Sequence, residues 1–317
     1  TFGGIDYDVG FSVQQTTDGG YIIFGTTYDG GTTSSQMDAK LIKTDINGVE
    51  QWSQTFFNTP AWEYAGSVQQ TNDGGYIITG ETQGDVYLIK TDGNGVEQWS
   101  QTFGGTDGDM GFSVQQTTDG GYIICGETKS FGNGEYDFYL IKTDDNGVEQ
   151  WSQTFGGNGD EKGYSVQQTT DGGYIICGET ESFGSGDEDV YLIKTDGNGI
   201  EQWNQIFGGV NDDEANQVQQ TTDGGYIIVG VTESYGNGDD DVFLIKTDSQ
   251  GDTLWTKTFG GTDSDKGYSV QQTTDGGYII TGKTESFGNG GGDVYLIKTD
   301  GNGIEQWNQI FGGVNDD

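Results

Sequence analysis

The motif Asp-Gly-Gly-Tyr-Ile-Ile occurs six times in this chain of 317 residues, and it constrains the fold more than any other feature. The copies are spaced by 55, 46, 52, 52 and 52 residues and begin at Asp18, Asp73, Asp119, Asp171, Asp223 and Asp275. Val-Gln-Gln-Thr precedes each copy, and Leu-Ile-Lys-Thr-Asp and a tryptophan follow it. The chain is therefore six variants of one structural unit, and each unit buries its apolar faces against its neighbours.

Each unit is predicted to contain four short strands, A to D, separated by glycine-rich turns. In the fourth unit these strands are predicted at Tyr164–Thr170, Tyr174–Thr180, Val190–Thr195 and Glu201–Phe207. Glycine and asparagine accept the positive φ angles of tight hairpins, so Asp171-Gly172-Gly173 is read as the A–B turn and Asp196-Gly197-Asn198-Gly199 as the C–D turn. Continuous apolar runs such as Tyr-Ile-Ile predict strands that are buried on both faces.

A period of about 50 residues and four strands per unit predict an all-β fold, a six-bladed β-propeller with four antiparallel strands in each blade. Glycine supplies 59 residues and hydrophobic residues only 31%, which fits many tight turns and excludes a helical bundle. We expect one propeller over residues 1–317, with blades at approximately 5–57, 58–104, 105–156, 157–208, 209–260 and 261–313.

The segment from Thr195 to Trp203, Thr-Asp-Gly-Asn-Gly-Ile-Glu-Gln-Trp, resembles the tryptophan-docking motif of quinoprotein-like propeller repeats. The whole unit is similar to the Asp-Gly-Gly-Tyr-Ile repeats of secreted or surface proteins of bacteria and archaea. This resemblance covers all six units, and it implies a fold and an extracellular or cell-surface location rather than a chemistry, although no signal peptide is visible. The 25 residues Asp189–Asp213 recur unchanged at Asp293–Asp317, which favours the hypothesis that the chain is part of a longer repeat array.

The charge balance restricts the partners. Twelve lysines, with no arginine and no histidine, stand against 51 acidic residues, so the net charge is -39. Such a polyanion repels nucleic acid, and no apolar run is long enough to insert into a membrane. Cationic groups and metal ions fit this surface better.

Meander geometry places the B–C and D–A loops at one end of every blade. These loops differ among the copies and are acidic, so we expect binding there. Two acidic positions recur, and because Ca²⁺ prefers six to eight oxygen ligands we interpret them as possible calcium sites; the alternative is that each carboxylate caps loop amides. One position opens strand C at Asp38, Asp85, Asp137, Asp189, Asp241 and Asp293. The other follows the D–A loop at Asp8, Asp109, Glu161, Asp213 and Asp265, with Glu63 as the equivalent in the second unit.

Other repeated residues have structural interpretations. The Gln-Gln pairs that begin at Gln14 are predicted to form a ladder of hydrogen bonds, with a glutamine-lined channel as the alternative. The lysines equivalent to Lys194 are interpreted as ion-paired struts and the repeated tryptophans as core residues. Cys125 and Cys177 are expected to be buried and reduced, because equivalent positions in neighbouring blades lie about 10 Å apart, beyond the ~7 Å limit for a disulfide.

Trp62 and Tyr64 stand apart from the repeat. They follow the only proline, in an irregular segment of the second unit, and an exposed aromatic pair beside acids could stack on a sugar or anchor a protein. The alternative is that this segment fills a gap in the irregular unit.

These observations favour a non-catalytic extracellular propeller that binds a glycan or a protein through its acidic loop end, with calcium as the only expected cofactor. The structural alternative is a subunit of a surface layer or filament that binds copies of itself. The third hypothesis is an enzyme, a carboxylate-based glycosidase or lyase. An asymmetric acid pair in an axial pocket would favour it.

Overall fold

The fold is described by a computed structural model for residues 8–29, 36–57 and 62–314. These residues contain 24 strands in six sheets of four, and no helix lies among them. Each sheet is an antiparallel meander in chain order, so each repeat is one blade, and the predicted six-bladed β-propeller with four antiparallel strands per blade is confirmed. The chain divides into two compact units at residues 1–155 and 156–317.

Unit 1 contains three blades. Blade 1 comprises β1 (Asp8–Gln15), β2 (Tyr21–Asp29), β3 (Gln36–Thr44) and β4 (Glu50–Phe56). Blade 2 comprises β5 (Glu63–Gln70), β6 (Tyr76–Thr82), β7 (Asp85–Thr91) and β8 (Glu97–Phe103). Blade 3 comprises β9 (Asp109–Gln116), β10 (Tyr122–Thr128), β11 (Asp137–Thr143) and β12 (Glu149–Phe155).

Unit 2 also contains three blades. Blade 4 comprises β13 (Glu161–Gln168), β14 (Tyr174–Thr180), β15 (Asp189–Thr195) and β16 (Glu201–Phe207). Blade 5 comprises β17 (Asp213–Gln220), β18 (Tyr226–Thr232), β19 (Asp241–Thr247) and β20 (Thr253–Phe259). Blade 6 comprises β21 (Asp265–Gln272), β22 (Tyr278–Thr284), β23 (Asp293–Thr299) and β24 (Glu305–Phe311).

Strand A begins earlier than the sequence predicts. In blade 4 strands B and D have the predicted bounds, whereas strand A begins at Glu161 rather than at Tyr164. The register shifts between Gly163 and Ser165, so a β-bulge interrupts the alternation that marks a strand in the sequence. The acidic residue predicted beside the D–A loop is therefore the first residue of strand A.

The A–B turn forms as predicted. Gly172 has a φ of +85°, and its N–H donates to Thr169 O at 2.9 Å. At Gly173 a Cβ atom would lie 2.1 Å from Thr195 O, so only glycine lets strand B pass this close to the end of strand C. These two requirements explain why Gly-Gly recurs in every copy.

Successive blades within a unit pack face to face. We call the side of a blade that meets the next blade its back face, and the side that meets the preceding blade its front face. In unit 1, Phe24 and Leu41 on the back of blade 1 cluster with Val68, Tyr76 and Ile78 on the front of blade 2. Equivalent clusters join blades 2 and 3, 4 and 5, and 5 and 6.

Four members of the tryptophan series belong to these interfaces, as predicted, whereas Trp307 is 43% exposed. Trp203 on strand D of blade 4 meets Tyr226 of blade 5 edge to face, with ring centroids 5.8 Å apart. A Cβ atom on Gly251, in the C–D turn of blade 5, would lie 2.7 Å from Cζ3 of Trp203. Trp52, Trp99 and Trp255 dock in the same way on Gly95, Gly147 and Gly303 of the next blade.

Candidate functional site

The recurring acids lie at the end of each blade that carries the B–C and D–A loops. Asp189 begins strand C of blade 4 and Asp213 begins strand A of blade 5, and both are buried. Oδ2 of Asp189 accepts hydrogen bonds from the N–H groups of Ser185 at 2.8 Å and Gly186 at 3.1 Å. Oδ2 of Asp213 accepts one from the Gly209 N–H at 2.8 Å. Each carboxylate thus caps the N–H groups of one loop, which is the alternative to calcium binding that the sequence analysis gives.

The structure also brings these acids together in pairs across blade junctions. A Cβ atom on Gly208 would lie 1.9 Å from Oδ1 of Asp189 and 2.8 Å from Oδ2 of Asp213, so both oxygens approach the same point. Gly104 has the same relationship to Asp85 and Asp109, and Gly260 has it to Asp241 and Asp265. Burial, with repulsion from Asp213 in addition, raises the pKa of Asp189.

The other predicted ligands occupy the same strand starts. Glu161 begins β13, and Glu63 and Asp137 begin β5 and β11; all three are buried. Asp38 is the third residue of β3 and is buried, and Asp8 is half-buried at the start of β1. Asp293 is buried at the start of β23. Among the described residues no group of three or more acids, histidines or cysteines is placed to hold a metal ion, so the recurring units are pairs.

A cavity of about 110 Å³ lies at this end of unit 2, at the junctions of blades 4, 5 and 6. Six carboxyl groups and one lysine line it, and Val231 adds an apolar side chain. The lining residues are Glu188, Asp212, Asp213, Glu214, Val231, Glu233, Asp240 and Lys266. We call this set the acidic pocket.

Backbone hydrogen bonds between neighbouring blades and loops fix the acidic pocket. The Asp213 N–H donates to Glu188 O at 2.8 Å, which ties the B–C loop of blade 4 to strand A of blade 5. The Asp265 N–H donates to Asp240 O at 2.7 Å and repeats this link one blade later. The charged side chains are therefore carried by elements whose backbones are held in place.

The charges in the acidic pocket are not balanced. Burial, followed by repulsion from Glu179, raises the pKa of Glu188 to about 7. Burial and Glu179 also raise the pKa of Glu214. The Lys266 ammonium lies 3.0 Å from Oδ2 of Asp240, which also accepts the Ser264 hydroxyl at 2.6 Å. Lys266 therefore pairs with Asp240, and none of the other five acids forms a salt bridge with a residue that the structure describes.

Asp213, which lines the acidic pocket, has one buried oxygen that accepts no hydrogen bond from the described residues. Asp213 is 1% exposed, and its Oδ1 receives no donor from any residue that the structure describes. A buried carboxylate oxygen without a donor is costly.

Unit 1 has a different pocket at the corresponding end of blades 2 and 3. This cavity of about 240 Å³ is lined by Tyr64, Glu81, Gly84, Gly108, Asp109, Met110, Glu127 and Tyr136. Burial raises the pKa of Glu81, whose Oε1 accepts the Gly84 N–H at 2.6 Å. Acids beside tyrosine rings favour a cation with an apolar body. We call this set the aromatic pocket.

The predicted aromatic pair is only partly in this pocket. Trp62 is 51% exposed, and its ring lies 6.5 Å from that of Tyr64, centroid to centroid. Tyr64 lines the aromatic pocket, and its backbone carbonyl accepts the Tyr87 hydroxyl at 3.1 Å. Pro60, in the same irregular segment, lies outside the described residues.

The sequence predicts binding in the loops, and several residues of both pockets lie instead in strands. Tyr64, Met110 and Glu214 occupy the second position of strand A, and Glu81 and Glu127 occupy the sixth position of strand B. These positions vary inside strands that otherwise repeat. Variation within a strand, rather than within a loop, was the signal that could have found them.

The remaining repeated residues stabilise the blades. The Lys194 ammonium donates to Thr195 O at 2.8 Å and lies 3.0 Å from Oδ2 of Asp171, and all six equivalent lysines form this ion pair, as predicted. Oε1 of Gln167 accepts the Gln220 N–H at 2.6 Å across blades 4 and 5, which matches the predicted ladder. Cys125 and Cys177 are buried thiols, as expected.

Comparisons with known proteins agree with the fold. No protein-family model and no curated protein sequence matches the chain. Sqt1 from Chaetomium thermophilum is similar over 98% of this chain and 73% of its own, at 12% identity and a TM-score of 0.56. Virginiamycin B lyase from Staphylococcus aureus is similar over 96% of this chain and 84% of its own, also at 12% identity and a TM-score of 0.56.

The Pan2 WD40 domain from Neurospora crassa is similar over 96% of this chain and 79% of its own, at 10% identity and a TM-score of 0.55. The described residues contain no helix that could cross a membrane. At these identities the likeness is one of fold, and it extends to a lyase as well as to a WD40 domain. The chain therefore shares the β-propeller fold with these proteins.

Proposed function

We propose that this protein is a non-catalytic binding scaffold whose acidic pocket takes up a cationic side chain, lysine or arginine, of a partner protein. The observation that carries the proposal is the acidic pocket itself. Six carboxyl groups converge there, and burial with mutual repulsion raises the pKa of Glu188 to about 7. An ammonium or guanidinium group would relieve this repulsion.

The size and charge of the acidic pocket favour a side-chain head group over a large ligand. A volume of about 110 Å³ accommodates a few heavy atoms. The net charge of -39 steers cationic partners toward the protein over long distances. The aromatic pocket of unit 1, with Tyr64 and Tyr136, would hold a second cationic side chain or a sugar.

The test is the binding of a short glycine-serine peptide with one central arginine, measured by calorimetry against the same peptide with citrulline. Citrulline has nearly the same shape and no charge, so we expect only the arginine peptide to bind. The double variant Glu188→Gln, Glu214→Gln should weaken binding by at least about tenfold, or about 1.4 kcal/mol. Equal binding of the two peptides would overturn the proposal.

A matched control is available at the other end of the blades. Glu201 and Asp252 are exposed acids of unit 2, beside C–D turns, and Glu201→Gln with Asp252→Asn removes the same number of charges. This variant should bind the arginine peptide like the parent. An equal loss in both double variants would mean that net charge, and not the pocket, attracts the peptide.

An extracellular or cell-surface location and calcium binding are further parts of this proposal. The paired carboxylates supply oxygen ligands that suit Ca²⁺, and bound Ca²⁺ would reduce the repulsion between Asp189 and Asp213. Fractionation of the source cells, with detection of the protein outside or on the envelope, tests the location. Recovery in the cytosol alone would contradict it.

The second candidate is a carboxylate-based glycan-active enzyme. The acids of the acidic pocket break the symmetry of the repeats, and a carboxyl group with a pKa of about 7 suits a general acid. Glycan hydrolysis or elimination that is lost in Glu188→Gln would favour the enzyme. Binding of the arginine peptide without turnover of any glycan would favour the scaffold.

A further inference from the structure

The aromatic pocket occupies the same place in the repeat as the acidic pocket. The acidic pocket surrounds the start of strand A of blade 5, and the aromatic pocket surrounds the start of strand A of blade 3. The backbone link is also the same, because the Asp109 N–H donates to Gly84 O at 2.7 Å as the Asp213 N–H donates to Glu188 O at 2.8 Å. The two pockets can therefore be compared position by position.

Two glycines make the aromatic pocket the larger of the two. Gly84 directly precedes strand C of its blade, as Glu188 does, and Gly108 directly precedes strand A, as Asp212 does. The B–C loop of blade 2 consists of Gln83 and Gly84 alone and is much shorter than that of blade 4. Two acidic side chains are thus replaced by space, and the cavity has a volume of about 240 Å³ rather than about 110 Å³.

Two further replacements make the lining apolar. Met110 and Tyr136 lie at the positions that Glu214 and Asp240 occupy in the acidic pocket. Tyr64, from strand A of blade 2, adds a second ring. A thioether is polarizable and the face of a phenol ring is electron-rich, so this lining suits a cation whose own surface is apolar.

The aromatic pocket nevertheless keeps negative charge. Glu81 and Asp109 line it, and neither forms a salt bridge with a residue that the structure describes. Backbone groups hold both carboxylates, since Oε1 of Glu81 accepts the Gly84 N–H at 2.6 Å and Oδ2 of Asp109 accepts the Gly105 N–H at 3.0 Å. Burial raises the pKa of Glu81, which shows that its negative charge is poorly solvated.

The Tyr136 ring already interacts with one cation of the chain. The Lys129 ammonium lies 5.2 Å from the centroid of this ring. It also lies 2.6 Å from Oε2 of Glu135, which balances its charge, and Lys129 is not among the described residues that line the pocket. The charge of the pocket acids is therefore left for a ligand to balance.

We propose that the aromatic pocket binds a trimethylammonium group, carried by a trimethylated lysine of a partner protein or by a free choline-like solute. The methyl groups give the cation an apolar surface that packs on Tyr64, Met110 and Tyr136, while Glu81 and Asp109 balance its charge. A quaternary nitrogen has no N–H group, so it requires no hydrogen-bond acceptor in the pocket. This inference deepens the second site of the proposed function, and it rests on residues of unit 1 alone.

The experiment is calorimetric titration of the full chain with choline and with the carbon isostere of choline, in which a carbon atom replaces the quaternary nitrogen. The two molecules have nearly the same shape and only choline is charged, so choline should bind at least about tenfold more tightly. Ammonium chloride should also bind at least about tenfold more weakly than choline. About 0.15 M NaCl screens non-specific attraction to the acidic chain. Equal affinity for choline and either comparison compound would overturn the proposal.

Two substitutions place the binding in the aromatic pocket without changing the net charge. Tyr136→Leu removes a ring but keeps apolar bulk, so it should weaken choline binding about fivefold, whereas Tyr136→Phe should bind nearly like the parent. Gly108→Leu should fill the cavity and abolish binding. The variant should still fold, because a Cβ atom on Gly108 would meet only the Tyr136 hydroxyl within 4 Å, at 3.6 Å. Unchanged binding in Tyr136→Leu and Gly108→Leu would contradict the proposal.

The double variant Glu188→Gln, Glu214→Gln separates this site from the acidic pocket. It leaves the aromatic pocket intact and should bind choline like the parent, and Gly108→Leu should still bind the arginine peptide. Loss of choline binding in the double variant would place the cation in the acidic pocket and overturn the proposal.

A glycine-serine peptide with one central trimethyllysine identifies the source of the group. Tighter binding of the peptide than of choline assigns the group to a partner protein, and equal binding assigns it to a solute; both outcomes support the trimethylammonium site. A peptide with unmodified lysine that binds as tightly as the trimethyllysine peptide would overturn it.

Discussion

The ammonium of Lys162 lies 2.7 Å from Oε1 of Glu179, across strands A and B of blade 4. In blade 5 the same two positions hold Glu214 and Val231, which are cross-strand partners. An acid has thus replaced the lysine, and a valine has replaced the acid. This exchange leaves Glu214 without a cation on its own blade and creates the imbalance of the acidic pocket.

A lysine opposite Glu214 should compete with cationic ligands for the acidic pocket. Val231→Lys places an ammonium opposite Glu214, so it should lower the pKa of Glu214 and weaken arginine-peptide binding by about tenfold, or about 1.4 kcal/mol. Calorimetry with the arginine and citrulline peptides measures this. Val231→Ala, which loses packing without adding charge, should bind nearly as well as the parent, and an equal loss in both variants would show that packing is responsible.

The high pKa of Glu188 should make stability fall with rising pH. Its folded-state pKa is about 7 against an ordinary value of 4.5, so between these values the folded chain holds a proton that the unfolded chain has lost. Stability from this group is complete below pH 4.5 and is lost as the pH rises through about 7. Glu188→Gln should therefore have a higher Tm than the parent at pH 8 and nearly the same Tm at pH 4.5.

Thermal scans across this range measure the effect. Glu181→Gln, on an exposed residue of the same loop, should leave the pH dependence of Tm unchanged. The assignment of pKa to Glu188 is wrong if both variants follow the parent curve.

The fold could be predicted because its determinants are local and repeated six times. The turn geometry requires glycine at Gly172 and Gly173, and the blade interface requires the tryptophan at Trp203. The same residues recur at these positions in the other copies, which strengthens the prediction of the fold. The acidic pocket could not be predicted in this way, because it depends on Glu188 of one blade lying close to Glu214 of the next. The raised pKa values of Glu188 and Glu214 come from burial and from acids on neighbouring strands and loops. Neither cause is visible in the repeat pattern.

The lysine struts should contribute far more stability than an exposed ion pair. The Lys194 side chain is 3% exposed, and Lys194→Met removes one hydrogen bond to Thr195 O and the ion pair of Asp171. Breaking a buried pair costs about 3–5 kcal/mol, but the Asp171 carboxylate is largely exposed, so we expect about 2 kcal/mol. Thermal unfolding of the 317-residue chain should show a Tm lower by about 3 °C.

Lys129 provides the comparison, because it forms an exposed ion pair with Glu135 at 2.6 Å. Lys129→Met should cost less than about 1 kcal/mol. Similar losses of unfolding free energy in Lys194→Met and Lys129→Met would show that burial of Lys194 does not strengthen its ion pair.

Calcium should stabilise the folded chain through the paired carboxylates. Because Asp189 and Asp213 approach the same point and repulsion contributes to the raised pKa of Asp189, Ca²⁺ between them would bind the folded chain more tightly than the unfolded one. A ligand at one hundred times its Kd stabilises by about 2.7 kcal/mol. We therefore expect millimolar Ca²⁺ to raise Tm relative to EDTA by more than Mg²⁺ or NaCl at matched ionic strength.

Two variants separate site binding from general screening. Asp213→Asn loses one carboxylate of the pair, so its calcium-dependent rise in Tm should be smaller than that of the parent, whatever its Tm in EDTA. Asp187→Asn removes an exposed charge from the neighbouring B–C loop and should keep the full rise. If NaCl alone reproduces the rise, the carboxylates are screened rather than bridged, and their role is then to hold the loop N–H groups of Ser185, Gly186 and Gly209.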